Sequence, residues 1–153
     1  MNRFTFYIII LLPLALPFSA NAAIEMPICT EAGFQGRPDI SGDRIVWEDG
    51  RDASYAIYMY DFADGTTVEI PTGGFLVGFP SISGVHVIWK EVVDENFSSF
   101  NIYCHNVISG ETQEIETGIS FANFRPISIS GNKIIRNYNQ KKGCVVTGSV
   151  TLG

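Results

Sequence analysis

Basic residues are scarce in this chain. It holds 10 Lys and Arg against 16 Asp and Glu, with only 2 His, a net charge of −6 over 153 residues. No basic cluster interrupts the acidic balance, which argues against nucleic acid and anionic lipid as partners. Cysteine is sparse as well. Cys29, Cys104 and Cys144 never form a C-x-x-C pair, so the spacing of a structural metal site is missing. There is no G-x-S-x-G elbow, no P-loop and no dinucleotide glycine fingerprint. After the first twenty residues no apolar run reaches membrane-spanning length. Nor does any window show the apolar period of an amphipathic helix. These absences predict an all-β, non-catalytic protein with no cofactor and no bound metal.

The apolar residues that are present gather first at the N-terminus. Met1-Asn2-Arg3 supplies a short positive start, and residues 4–18 form an apolar run broken by Pro13 and Pro17. Ser19-Ala20-Asn21-Ala22 then places small residues at a cleavage site. Residues 1–22 therefore read as a secretory signal peptide, cut before Ala23 and leaving 23–153 as the exported chain. An uncleaved anchor is the other reading of this stretch. Met26-Pro27-Ile28 ahead of Cys29 has the wrong residues for lipidation. In an oxidising compartment the three cysteines allow three different pairs, with one thiol left over. A Cys29–Cys144 bridge would staple the two ends.

The rest of the chain repeats. Pro38-Asp39-Ile40-Ser41-Gly42 returns as Pro80-Ser81-Ile82-Ser83-Gly84, and again as Ile127-Ser128-Ile129-Ser130-Gly131 with Pro126 displaced by one. Five residues after each glycine stand Trp47, Trp89 and Arg136, each behind two β-branched residues. Ile57-Tyr58-Met59-Tyr60-Asp61 matches Ile102-Tyr103-Cys104-His105-Asn106. Each unit reads as four short strands joined by tight turns. In the first unit these are 38–41, 44–48, 56–61 and 67–70. The units fall at about 36–79, 80–125 and 126–153. In the third, 144–146, Thr147-Gly148 and 149–152 can supply strands three and four, and the second half of the unit is squeezed or degenerate.

Four-stranded units of about 40–45 residues have the size of one β-propeller blade. Apolar residues on both parities of the strands fit sheets that stack on neighbours. A sandwich or a β-solenoid also accommodates a two-faced pattern, but the period favours blades.

The run Pro-x-Ile-Ser-Gly-Asp-Arg-Ile-Val-Trp-Glu-Asp-Gly-Arg, followed by Ile-Tyr-Met-Tyr-Asp, resembles the TolB-like, surface-protein-type propeller repeats of exported proteins. The resemblance covers about 36–115 well and 126–137 more weakly. It implies a rigid platform for protein contacts at the periplasm, the cell surface or outside the cell. It also implies a six-bladed ring, whereas three units cannot close one, since propellers close with four to eight blades. Two chains could complete the ring as a homodimer. The alternatives are an arc docked on a protein partner, or a truncated piece of a larger propeller protein.

Few residues stand out as chemistry. Asp49 and Arg51, near Asp43, Glu48 and Asp52, could suggest a calcium site, but the spacing fits a solvated loop in which the pair caps turns. His86 aligns with Arg44 and Lys133, and His105 with Tyr60, so both are repeat positions without catalytic partners. Cys104 aligns with Met59 and reads as a buried small hydrophobe. Glu114 and Glu116 share a strand face by simple alternation, unlike glycosidase acids on separate elements. Phe97 and Phe100 occupy an insertion among polar residues and are the candidate contact loop, with Phe100 tucked under its own loop as the equal alternative. Asn96-Phe97-Ser98 is in addition a glycosylation sequon. The favoured function is an exported, non-catalytic binding or scaffold module. A carbohydrate-active propeller enzyme is the less favoured alternative.

Overall fold

The computed structural model describes residues 24–51, 54–121, 125–137 and 144–149. The expected signal peptide and most of the expected final strand lie outside the described residues. Among the described residues eleven strands follow one another with no α-helix between them. They are β1 (Gln35–Ser41), β2 (Arg44–Asp49), β3 (Ala56–Asp61), β4 (Thr66–Ile70), β5 (Leu76–Ser83), β6 (His86–Val92), β7 (Ser99–Asn106), β8 (Thr112–Ser120), β9 (Ile127–Ser130), β10 (Lys133–Asn137) and β11 (Cys144–Ser149). They form two four-stranded meanders, β1-β2-β3-β4 and β5-β6-β7-β8, and a three-stranded one, β9-β10-β11. Every pairing is antiparallel. The all-β fold class is therefore as expected.

The Ser-Gly corners set the first turn of each sheet. Gly42, Gly84 and Gly131 take φ of 58°, 59° and 56°, a region that side chains other than glycine enter at a cost. Nothing stands near the missing Cβ of any of the three. Backbone conformation, not space, selects glycine there.

β1 and β5 both begin ahead of their prolines. The boundary expected at 79/80 thus falls inside β5, and that at 35/36 inside β1. The reason is a bulge. The β1–β2 register shifts between Gly36 and Asp39, and the β5–β6 register between Gly78 and Ser81. Arg37 and Phe79 sit at these bulges with φ of 51° and 54°. The bulge carries the strand past a proline that cannot donate to the ladder.

The third sheet also departs from expectation. β11 runs without a turn through Thr147 and Gly148. Lys133 pairs with Ser149 and Ile134 with Thr147, so Gly148 is absorbed as a bulge.

Each sheet stacks face to face on the next, and the inner strands β1, β5 and β9 lie side by side. Strand alternation divides the apolar residues between the two faces of the middle sheet. Val77, Ile82, Val87 and Trp89 pack on Val46, Ile57, Met59 and Ile70 of the first sheet. Ile88, Val92, Phe100, Ile102 and Cys104 pack on Ile127, Ile129 and Ile134 of the third. Burying each such side chain contributes roughly 1.5–3 kcal/mol. The two inter-sheet layers are the core.

Candidate functional site

The three inner strands enclose a concave pocket of about 340 Å³. Its wall repeats with the sequence. Arg37-Pro38-Asp39, Phe79-Pro80-Ser81 and Pro126-Ile127-Ser128 line it in turn. The prolines and the positive-φ bulges hold the backbone of this wall in fixed conformations.

Most polar groups of the wall tie one sheet to the next. Asp39 accepts the Ser81 hydroxyl at 2.7 Å and the Ile82 N–H at 2.9 Å. Ser81 Oγ in turn accepts the Ile129 N–H at 3.3 Å. One step along, Ser41 Oγ accepts the Gly84 N–H and Ser83 Oγ the Gly131 N–H, both at 2.9 Å. Two parallel rows of hydrogen bonds thus run from sheet to sheet around the pocket. Arg37 stays half exposed beside it. Its guanidinium lies 4.2 Å above the Phe79 ring and pairs with Glu48. Glu48 is fully buried and also accepts the Phe79 bulge N–H at 2.5 Å.

A second constellation recurs on β2 and β6. The Trp47 indole donates to Asp49 at 3.0 Å, and the Trp89 indole to Glu91 at 2.9 Å. Each tryptophan stacks on a tyrosine, Tyr58 or Tyr103. Those hydroxyls donate to Glu69 and Glu114. The carboxylates also hold the preceding chain: Glu91 accepts the Gly73 N–H at 3.1 Å. Asp49 lies 3.6 Å from the Cys29 thiol.

Asp49 and Arg51 pair, as expected, but Asp49 is not solvated. Asp49 is buried and takes Arg51 Nε at 3.0 Å, Arg51 Nη2 at 2.6 Å and the Arg51 N–H at 3.0 Å. These bonds, with the Arg51 side chain first, hold the carboxyl well below the usual aspartate range against the opposing effect of burial. Trp47 closes the site from the strand, which spacing alone did not indicate. Asp43 is an exposed turn residue, Glu48 faces the next sheet, and Asp52 lies outside the described residues. Among the described residues no three metal-ligating side chains converge.

Phe97 and Phe100 separate. Phe97 is exposed at the loop tip with φ of 52° and meets the Phe121 ring edge-on at 6.3 Å. Phe100 lies in β7, fully buried in the second core layer. The insertion therefore presents Phe97 alone. Asp94 shapes it by accepting the N–H groups of Asn96, Ser98 and Ser99.

His105 is buried, bonds Thr112 through Nδ1 at 2.8 Å, and has its pKa lowered by burial. His86 opens β6, part exposed. Cys104 is buried, as its match to Met59 predicts, and burial pushes its thiol up to about 11. Cys29 and Cys104 are free thiols, and the Cys144 side chain lies outside the described residues. Glu114 and Glu116 do not share a face. The β7–β8 register skips Ile115, which sends Glu114 to Asn101 and Tyr103 but Glu116 to Arg136 of the third sheet at 2.5 Å.

The x position of Pro-x-Ile-Ser-Gly was the missed signal. Asp39, Ser81 and Ser128 are all short hydrogen-bonding side chains, as a repeated inter-sheet bond requires. The carboxylate two residues after each tryptophan was a second such signal.

No family model matches the chain, and no curated protein does. Solved structures do. TolB from Acinetobacter baumannii superposes with a TM-score of 0.60 at 16% identity, over 78% of this chain and 30% of that one. The β-propeller domain of the Trilobed protease from Pyrococcus furiosus, described as having an open velcro topology, gives 0.51 at 13% identity, over 67% and 33%. The acylaminoacyl peptidase of Pyrococcus horikoshii gives 0.52 at 11% identity, over 71% and 18%. The chain thus spans a third or less of the length of these structures. The three stacked sheets have the β-propeller fold, like that of TolB.

Proposed function

We propose that this is an exported, non-catalytic propeller-repeat protein that acts as a protein-binding or scaffold module at the cell envelope or surface. The observation that carries this reading is the pocket wall. Asp39 and Ser81, which would otherwise be available for acid–base or nucleophilic work, are spent on bonds between sheets. What the wall offers a partner is shape: three prolines, the Phe79 ring and one arginine at the edge. A rigid concavity of prolines, the Phe79 ring and polar side chains, with Arg37 and Asp39 as its charged groups, suits an extended protein segment. The solvent-exposed ring of Phe97 offers a second contact point. The structural likeness to TolB supports an envelope location, and the secretory character of residues 1–22 supports export.

A photo-crosslinking residue at Pro38, inside the pocket, tests this in the producing cell. A discrete protein adduct in the exported fraction is expected, absent when the same residue replaces the turn residue Ser109. Retention of the chain in the cytoplasm, or no adduct from Pro38, overturns the reading.

A second reading, a segment of a larger propeller protein, draws on the limited span relative to the solved structures. One of them is the propeller domain of a protease and another is a peptidase. Transcript mapping that shows a reading frame continuing the repeats would favour it.

A further inference from the structure

The two internal interfaces serve as a ruler for the two outer faces. At the residue two before the corner glycine, Ile82 and Ile129 are 4% and 6% exposed, packed on the preceding sheet. Their counterpart Ile40, on the leading face of the first sheet, is 60% exposed. At the residue four after the glycine, Val46 and Ile88 are both 0% exposed, packed on the following sheet. Their counterpart Ile135, on the trailing face of the third sheet, is 40% exposed. Val46 packs in the same layer as Ile82, and Ile88 in the same layer as Ile129. The unmatched partners are Ile135 and Ile40.

The hydrogen bonds have the same open ends. Each corner serine accepts the N–H of the next corner glycine, Ser41 from Gly84 and Ser83 from Gly131. Ser130 is the next acceptor in the row, and Gly42 the donor that no preceding serine serves among the described residues. The Ile40 N–H, whose counterparts bond back to Asp39 and Ser81, bonds to its own Asp39 side chain at 3.0 Å. Beside it an apolar groove of about 230 Å³ runs past Ile45 and Trp47, walled on one side by the chain's own Ile28 and Cys29. Both apolar and polar features of the leading face thus find their complements on the trailing face of the same chain.

We propose that these two faces are halves of one interface, filled head to tail by a second copy of this chain. This goes beyond the scaffold reading, which concerns the pocket, and names a partner for the two outer faces. Head-to-tail contacts either close into a ring or run on as a fibre. Propellers close with four to eight blades. Two copies of three sheets supply six, whereas one falls short and three exceed the range. The ring therefore closes at two copies, with Ile40 of each packed on Ile135 of the other and Ser130 bonded across to Gly42.

Sedimentation equilibrium with charge-exchanged variants tests this. The wild-type protein is expected to sediment as two copies. Ile40→Lys and Ile135→Glu are each expected to weaken association at least tenfold while keeping the strand signature in circular dichroism, because both side chains are exposed in the single chain. An equimolar mixture of the two variants is expected to restore the two-copy species, since each ring then holds one Lys–Glu contact and one Ile–Ile contact. A wild-type protein that stays monomeric overturns the proposal, and so does a dimer that both single variants leave intact. A mixture that fails to reassociate also overturns it. A monomer that still yields the Pro38 adduct would defeat this inference while leaving the scaffold reading standing. A dimer that captures no other protein would do the reverse.

Discussion

The two internal interfaces are built on one plan and differ at its centre. Both stack β-branched residues from β2 or β6 on isoleucines of the next inner strand. At the residue after the tryptophan, however, the first interface buries Glu48 and the second buries Lys90. Glu48 is held by Arg37 and by the Phe79 bulge N–H. The Lys90 ammonium lies 4.3 Å from the Phe100 ring and 5.8 Å from that of Phe79. Burial, and then the nearby Arg136, lowers its pKa to about 8. The apolar layer carries the stacking, and the charge at its centre can change sign when its surroundings change with it.

Four measurements break or sharpen this comparison. Phe100→Ala removes a fully buried ring from the second interface, and urea unfolding is expected to show a loss of about 4 kcal/mol. Phe97→Ala, three residues earlier but exposed, should stay within about 0.5 kcal/mol of wild type. Glu48→Leu attacks the first interface by removing the carboxylate that accepts the part-buried Phe79 N–H and pairs with the half-exposed Arg37. It is expected to cost about 2–3 kcal/mol, read from the denaturation midpoint.

Lys90→Met is expected to act in the opposite direction and to depend on pH. Free lysine titrates near 10.4. Between about 8 and that value the unfolded chain binds a proton that the folded chain does not, so wild-type stability rises with pH across this window. Below pH 8 both states are protonated and the burial penalty is fully present. Lys90→Met is therefore expected to gain about 1–2 kcal/mol at pH 7, with the gain shrinking between pH 8 and 10. Paired unfolding curves at pH 7, 9 and 10 check this. Smaller again, Ser41→Ala and Ser83→Ala should each cost about 1 kcal/mol. The two costs should match, because each removes the same bond from a different interface. Thermal midpoints of the single and double variants would show this.

The first sheet was nearly readable from the sequence. Strands expected at 38–41, 44–48, 56–61 and 67–70 are observed at Gln35–Ser41, Arg44–Asp49, Ala56–Asp61 and Thr66–Ile70. β-branched runs and corner glycines are local signals, and they suffice there. The upstream ends of β1 and β5 were hidden because proline reads as a strand start. Arg37 and Phe79, the residues that take positive φ to carry the strand through, are not types that announce it. The sequence left the burial of Phe100 open beside the contact-loop reading, since an insertion has no second copy from which to read alternation. Asp49 looked solvated because its neighbours in sequence are charged. What buries it is Trp47 on its own strand and the segment around Cys29, brought near only by folding. The pocket wall was written in the repeat as the x of Pro-x-Ile-Ser-Gly, but its role emerges only when successive sheets are stacked.

Amide hydrogen exchange at the three corner glycines tests the central claim most directly, which is that one repeated bond joins successive sheets and is left open at the first. In an Ile40→Lys chain, kept single by its charge, the account predicts protected N–H groups at Gly84 and Gly131 and fast exchange at Gly42. Equal rates at all three, whether slow or fast, would contradict it.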